Sequence, residues 1–378
     1  MMKHFVYADN AATSQLSPMA LEAMLPWLKE EYANASQPYT FSRKPKKAIA
    51  EARAIIADCI GASPEEVIFT SCGTESNNWV IQRALINHRR RGIITSAIEH
   101  HAALRACEAV ERYNGIKVDY LPVQNDGTIS AESLRDVVSH SIGMVSIMTA
   151  NNEIGTIQPV RDLAEISHSK GCLFHTDAVQ AIGHIPINVK ETDVDFLSAS
   201  AHKFNGPKGI GFLFVKKGVD LPPLICGGRQ EFGSRAGTEN VASIVGMAAA
   251  LAENISELDN NIRHISDLES LLLHRIEEVG VCYHRNGSKN HIPGNISLSF
   301  RGFEGEAMLH RLDLQGICIS TGSACDSKDT KVSHVLKAIG LDSELAKGTI
   351  RISLGKNNTQ EDVIQIADAI NRIVTLDR

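Results

Sequence analysis

Lys203 is the first residue whose surroundings suggest chemistry. It stands in Ser200-Ala201-His202-Lys203-Phe204-Asn205-Gly206-Pro207, between the apolar runs 194–199 and 210–215. An ε-amine at the end of a buried strand is partly desolvated, which lowers its pKa and suits it to attack a carbonyl and hold a Schiff base. A surface hairpin with Lys203 and Lys208 in water fits the same residues, and this stretch alone does not choose.

Four further polar clusters follow apolar runs. Ser71-Cys72-Gly73-Thr74-Glu75-Ser76-Asn77-Asn78 comes after 67–70 and precedes a helix expected to begin near Trp79. Glycine and hydroxyls at a helix N-terminus can cradle a phosphate, and they can also be a cap with its glutamate. Glu99-His100-His101 comes after 92–96, where an imidazole can lie on an aromatic ring. Asn151-Asn152-Glu153-Ile154-Gly155 comes after 145–148, where the asparagines either bind a ligand or end the strand with an Asx turn. His175-Thr176-Asp177-Ala178-Val179-Gln180 comes after 172–174. A carboxylate at a buried strand end needs a cationic partner, which an arginine or a pyridinium nitrogen can supply. Phosphate cradle, stacking imidazole, pyridinium carboxylate and Schiff-base lysine together are what pyridoxal phosphate asks of a protein.

These clusters need a scaffold that brings strand ends together. Strand patterns at 67–70, 92–96, 118–123, 144–150, 172–176, 195–200 and 210–215 alternate with intervals mostly long enough for a helix. The expected fold is α/β, with a large, open, mostly parallel seven-stranded sheet whose chemistry gathers at the carboxyl ends of the strands. Helical patterns cover residues 18–32, 46–60 and 240–279, the last with a break near Asp259. Beyond it, strands at 295–300, 317–320 and 350–354 mix with helices near 304–314, 331–339 and from 359, as in a smaller α+β domain. We therefore expect a large domain over 15–258 and a small one over 1–14 and 259–378.

With 43% hydrophobic and 22% charged residues, the 378-residue chain has the make-up of an ordinary globular protein. A net charge of −6 provides no broad basic field, so direct nucleic-acid binding is not expected. No apolar run approaches the ~20 residues of a membrane span, and residues 1–9 lack the apolar core of a signal peptide, so a cytoplasmic location is expected. Eight cysteines, at 59, 72, 107, 172, 226, 282, 318 and 325, show neither C-x-x-C pairs nor zinc-ligand spacing, so no metal is expected. Cys325 differs from the others. It lies between Ser320-Thr321-Gly322-Ser323-Ala324 and a polar run to Thr330, a composition suited to an exposed, mobile loop.

The strand-end motifs, with Arg235-Ala236-Gly237-Thr238 and Ser320-Thr321-Gly322-Ser323-Ala324-Cys325, resemble the cysteine desulfurases of the class V aminotransferase family. The last motif is similar to the NifS/IscS-like group I branch, and the match runs along nearly the whole chain. The resemblance implies a fold-type-I (aspartate-aminotransferase-like) enzyme with pyridoxal 5'-phosphate as cofactor and L-cysteine as substrate. It also implies a homodimer that hands sulfur to an acceptor protein. Catalysis would fall to Lys203, the Schiff-base lysine and proton carrier, to His100, stacked on the ring, and to Cys325, the nucleophile that becomes a persulfide as alanine leaves. Asp177 would pair with the ring nitrogen and Gln180 with the phenolate oxygen. Gly73, Thr74, Ser200 and His202 would hold the phosphate, with Thr238 reaching it from the neighbouring subunit. Asn152 and Arg351 would face the substrate, the arginine gripping its carboxylate.

Two departures from the family pattern stand out. Asn34-Ala35-Ser36, Tyr39 and Ser42 replace the usual stretch near the active-site entrance, and Cys72 stands where a small residue is common; we read Cys72 as packing. Competing functions are a selenocysteine lyase, an aminotransferase on the same fold and a non-catalytic scaffold. The last should lack Lys203, Asp177 or His100, and this chain has all three. The destination of the sulfur, whether iron–sulfur scaffolds, tRNA thiolation or DNA phosphorothioation, is not written in these motifs.

Overall fold

The runs Val67–Thr70, Gly92–Ser96, Ile142–Ser146 and Phe196–Ser200 are buried at every residue, as strands covered on both faces must be. In a computed structural model that describes residues 5–321 and 332–376, they form part of a seven-stranded sheet. After a short N-terminal strand β1 (Val6–Tyr7), its members are β2 (Val67–Thr70), β3 (Gly92–Ser96), β4 (Val118–Leu121), β5 (Ile142–Ser146), β6 (Leu173–Asp177), β7 (Phe196–Ser200) and β8 (Gly211–Val215). Their order is β2-β8-β7-β6-β5-β3-β4. Only β8 runs against its neighbours. The carboxyl ends of the other six therefore point the same way.

The remaining strands are β9 (His284–Asn286), β10 (Asn295–Ser299), β11 (Ile317–Cys318) and β12 (Thr349–Ser353). β10 lies between β12 and β9 in an antiparallel sheet, and β1 pairs in parallel with β11. The helical stretch after Asn240 breaks at Glu257 into Val241–Ser256 and Leu258–Glu278, which meet at 71°. Phe174, Phe204, Phe212 and Leu251 belong to one core. Leu268, Leu272, Ile296, Phe300 and Ile352 belong to a second, which Val6 and Ala8 join from the N-terminus. Among the described residues no single helix is long and apolar enough to cross a membrane.

All seven expected strands of the large sheet exist, β2 and β3 with the expected bounds and the other five with shifted ends. In the run expected over 144–150 regular pairing ends at Ser146: Ile147 and Thr149 still donate to the β6 carbonyls of His175 and Asp177, while the Met148 N–H turns to the buried Glu99 Oε1 at 3.0 Å. The helix expected near Trp79 begins six residues earlier, at Gly73. Its polar first turns look like loop in sequence, yet Ser76 and Asn77 are buried. Ser76 Oγ shares a proton with Thr70 Oγ1 at 2.9 Å, and Asn77 reaches Asp177. Polar residues inside a helix are tolerated when they find such partners.

Candidate active site

The strand ends converge on a cavity of about 360 Å³. Gly73, Thr74, His100, Asn152, Asp177, Gln180, Ser200, His202, Lys203 and Arg351, ten residues singled out in the sequence, all line it.

The floor follows from the sheet. Asp177 is the last residue of β6 and only 5% exposed. Its Oδ2 accepts from Asn77 Nδ2 at 2.6 Å and its Oδ1 from the Val179 N–H at 3.0 Å. Neither donor carries a full charge, so the carboxylate still suits a cationic partner in the cavity. Gln180 donates from Nε2 to the Ala11 carbonyl at 3.0 Å. Under the sheet, His175 bridges Ser146 Oγ (2.8 Å) and Ser198 Oγ (3.0 Å), tying β5, β6 and β7 together, and full burial holds its pKa well down.

His100 caps the helix His101–Asn114, its Nδ1 accepting from the Ala102 N–H at 3.1 Å. That assigns the ring proton to Nε2 in the neutral form. Burial pulls its pKa down, and Lys203 and His101 add to this against the upward pull of Asp177. A neutral ring held by its edge leaves its face for stacking. Just before it, Glu99 is 1% exposed, with Oε1 accepting from Ser96 Oγ at 2.6 Å and from Met148 N–H, and burial lifts its pKa to about 8. Burial thus favours the protonated form of Glu99, whose Oε1 pins the His100 turn to the chain just past β5 while its Oε2 has no partner among the described residues.

Lys203 lies one short turn past β7, in Ala201–Lys203, rather than at the strand end itself. It is half-buried, and Nζ donates to the carbonyls of Ala11 (2.6 Å) and Ala12 (2.8 Å). His202 meets Thr13 Oγ1 at 3.1 Å, and burial, with Lys203 and Lys208 nearby, pushes its pKa down to about 4. Gly73 opens the helix Gly73–Arg83; a Cβ there would stand 2.5 Å from Val179 Cγ2. Ser200 Oγ and Asn77 Oδ1 are buried and find no partner among the described residues. A glycine-opened helix, an orphaned hydroxyl and a neutral imidazole are the donor set a phosphate needs. An orphaned buried hydroxyl is costly unless a ligand satisfies it. The residues present thus fit pyridoxal phosphate.

The opposite wall comes from β12, packed in the second core, and from residues 333–334, whose neighbours Val335 and Leu336 pack with Ile98, Met148 and Ile154. Arg351, on β12, is 6% exposed; it donates to the Asn152 carbonyl (2.9 Å) and to Asp9 Oδ1 (2.8 Å), while its Nε has no partner among the described residues. Ser333 Oγ donates to Glu153 Oε2 at 2.5 Å, and the His334 ring stacks on His101 at 4.8 Å, tilted by 43°. Cys325 lies outside the described residues. On either side of that stretch, Ser320, Thr321, Ser333 and His334 all line the cavity.

Three expectations need correction or extension. Thr238 is exposed and lines no part of its own chain's cavity. The 34–42 stretch, expected near the entrance, lines no part of its own chain's cavity; it meets the loop that carries Thr238, with Ser36 Oγ 3.4 Å from Glu239 Oε2. Cys72, read as packing, lines the cavity beside Gly73. Sequence reasoning gave no role to Asn77, Asp9, Glu99, Thr13 or the Ala11 and Ala12 carbonyls. Asn77 and Glu99 stood inside motifs already singled out, while Asp9 and Thr13 act on partners far along the chain and carried no local sign. Among the described residues no group of three or more His, Cys, Asp or Glu is placed to hold a metal ion.

Fold and floor together define a pyridoxal-phosphate enzyme of fold type I. The chain belongs to the aminotransferase class-V family, matched over residues 6–366. It is 46% identical to the cysteine desulfurase IscS of Dictyoglomus turgidum over 376 residues, covering 99% of this chain and 95% of that one. To the cysteine desulfurase IscS of Methanosarcina thermophila it is 43% identical over 371 residues, covering 98% and 92%. A solved NifS-like protein superposes with a TM-score of 0.93 at 39% identity, over 99% of this chain and 100% of that chain. SspA, solved in complex with cysteine, superposes at 0.83 with 33% identity, over 93% and 99%.

Proposed function

We propose that the chain is a pyridoxal-phosphate-dependent cysteine desulfurase, converting L-cysteine to L-alanine and passing the sulfur through a persulfide on Cys325 to an acceptor protein. The observation that carries this reading is the cavity where Lys203, Asp177, His100 and Gly73 meet, with residues on both sides of the Cys325 stretch forming its wall. Lys203 holds the cofactor and moves protons at its Nζ. Asp177 holds a proton on the ring nitrogen, Gln180 donates to the phenolate oxygen, and His100 covers the ring face and excludes water. Gly73, Thr74, Ser200 and His202 bind the phosphate. Arg351 and Asn152 orient the substrate carboxylate. When bound, pyridoxal phosphate supplies the electron sink that makes the substrate's carbon–sulfur bond breakable. The Cys325 thiolate takes the sulfur: its new S–S bond forms as that bond breaks, and alanine leaves with the added proton.

The working unit is a homodimer in which Thr238 serves the neighbouring subunit. Its exposure supports this, as do Met19, Leu28, Tyr32 and Phe232, large apolar side chains each more than half exposed. We divide the chain at 258, where one helix of the bent pair begins, into a large domain over 15–258 and a small one with the remainder. A cytoplasmic location is supported by the seven described cysteines, all free thiols. Acceptors in iron–sulfur assembly, tRNA thiolation or DNA phosphorothioation all suit the chemistry. The test is Cys325→Ala in the loaded enzyme: alanine and sulfide production from L-cysteine should collapse while the yellow colour of the bound cofactor persists. Full activity in that variant would refute the reading.

A further inference from the structure

The outer edge of β2 carries the path into the phosphate cradle, and two arginine–glutamate pairs, each with one member in the loop 231–235, close on it. β2 bonds only β8, so alternate backbone groups of Val67, Phe69 and Ser71 face away from the sheet. An uncovered edge of this kind would be a liability. Here the Phe69 N–H donates to Glu231 Oε2 at 2.8 Å and the Ser71 N–H to Glu75 Oε2 at 2.7 Å. The Val67 carbonyl accepts from Arg53 at 2.5 Å.

Each carboxylate is gripped by an arginine fork. Arg53 donates to Glu231 Oε2 (2.7 Å) and Oε1 (2.8 Å); Arg235 donates from Nε to Glu75 Oε1 (2.9 Å) and from a terminal nitrogen to Oε2 (3.1 Å). The Arg53 and Glu231 side chains are 8% and 4% exposed. The guanidinium of Arg53 lies between the Phe69 and Phe232 rings, at 4.4 and 4.8 Å from their centroids. Glu231 and Phe232 are consecutive non-glycine residues with φ of 46° and 57°. Two adjacent left-handed residues are costly, and such backbone persists where surrounding contacts dictate it, commonly at working sites. The cost places the Glu231 carboxylate on the edge of β2, two residues ahead of the turn into Cys72 and Gly73.

We propose that Arg53 and Glu231, seconded by Arg235 and Glu75, are positioning residues for the cofactor phosphate, fixing the strand edge that delivers the Gly73–Thr74 cradle. The inference rests on reading Gly73 and Thr74 as the phosphate site. A charged, bidentate pair suits this task because it holds both donor and acceptor groups of the edge in one geometry. The groups facing the pair are the Val67 carbonyl, the Phe69 N–H and the two aromatic rings, none of them able to replace a lost carboxylate.

The test measures how fast purified holoenzyme loses pyridoxal phosphate under dilution, alongside melting temperature with and without cofactor. Glu231→Gln keeps the shape but loses the charge and sets an amide NH2 group against one terminal nitrogen of Arg53, so the two-pronged grip is broken, and Arg53→Met removes the fork. Each should release cofactor faster, roughly 10- to 100-fold, the range seen when outer partners of ligating groups are removed. Arg235→Met should do so by less, its partner Glu75 being the more exposed of the two carboxylates (9% against 4%). Thr74→Ala separates the two readings. If Thr74→Ala loosens the cofactor and Glu231→Gln does not, the positioning inference is wrong. If Thr74→Ala retains cofactor like the parent, the cradle reading itself fails. A Glu231→Gln protein with lowered melting temperature but unchanged release would make the pair merely structural and also overturn the proposal. Should Arg53→Met fail to fold, Glu231→Gln decides alone.

Discussion

The floor and the opposite wall of the cavity are built on different terms. Floor residues Asp177, Ser200, Gly73 and Lys203 sit at or just beyond parallel strand ends, where side-chain direction follows from the sheet. Asp177 is held by two hydrogen bonds and Lys203 by two backbone carbonyls. Wall residues lie outside the large sheet and are held by contacts far apart in sequence: Arg351 to Asp9 and to Asn152, Ser333 to Glu153. In the function proposed above, the floor holds the cofactor whatever the substrate and the wall selects what enters. Floor substitutions should therefore abolish chemistry, and wall substitutions should change affinity or transfer.

The largest effect is expected at Lys203. Lys203→Ala removes the amine proposed to hold the cofactor and move protons, and turnover should drop by at least the roughly 10²–10⁴-fold a positioned acid–base group supplies. Retained cysteine turnover, measured as alanine formed, would break the distinction at once. Arg351→Lys should act differently. It keeps a charge but loses the fork, at a cost of about 1.5–3 kcal/mol for a charged hydrogen bond, so KM for cysteine should rise roughly 10- to 100-fold with a smaller change in kcat. An equal fall in kcat would move Arg351 from the wall to the chemistry.

Acid should weaken the fold through the floor. In the folded protein the pKa of His202 lies at about 4, below the ordinary 6.5, because burial and two lysines oppose its charge. The unfolded chain then binds more protons between these values, so stability should fall as pH drops from about 6.5 toward 4. His202→Gln should flatten that slope in apo-protein melts, and an unchanged slope would remove His202 as its source. Glu99 has the opposite sign. Its pKa is raised to about 8, so the folded state binds the extra proton and stability declines as pH rises from about 4.5 to 8. Glu99→Gln mimics the neutral acid and should match the parent in activity near pH 7 while gaining stability relative to it at pH 8. This is the smallest effect, and a strong loss of activity in Glu99→Gln would mean that the carboxylate form matters.

Much of the floor was legible in the sequence because apolar runs of four to six residues ending in glycine, serine, asparagine or aspartate carry both strand and site. The Gly73 helix was partly missed: Thr74 to Asn78 read as loop, and only the buried partners Thr70 and Asp177 explain why they coil. Lys203 was found, but its turn past β7 was not: the turn closes on the Ala201 carbonyl, and its outer backbone groups at His202 and Asn205 are bonded by Ser14, nearly two hundred residues away. Asp9 stayed invisible for the same reason, since nothing near it in the chain announces Arg351. Glu231 and Phe232 were silent as well. Their left-handed backbone has no glycine to signal it and is imposed by Arg53 from a distant helix.

The most direct test of the central claim is a single turnover with L-cysteine labelled at sulfur, followed by mass spectrometry of the peptide that contains Cys325. One labelled sulfur atom should add to Cys325, at a rate matching alanine formation, and should vanish on reduction. Alanine forming at the full rate with no label on that peptide would contradict the claim that this thiol receives the sulfur.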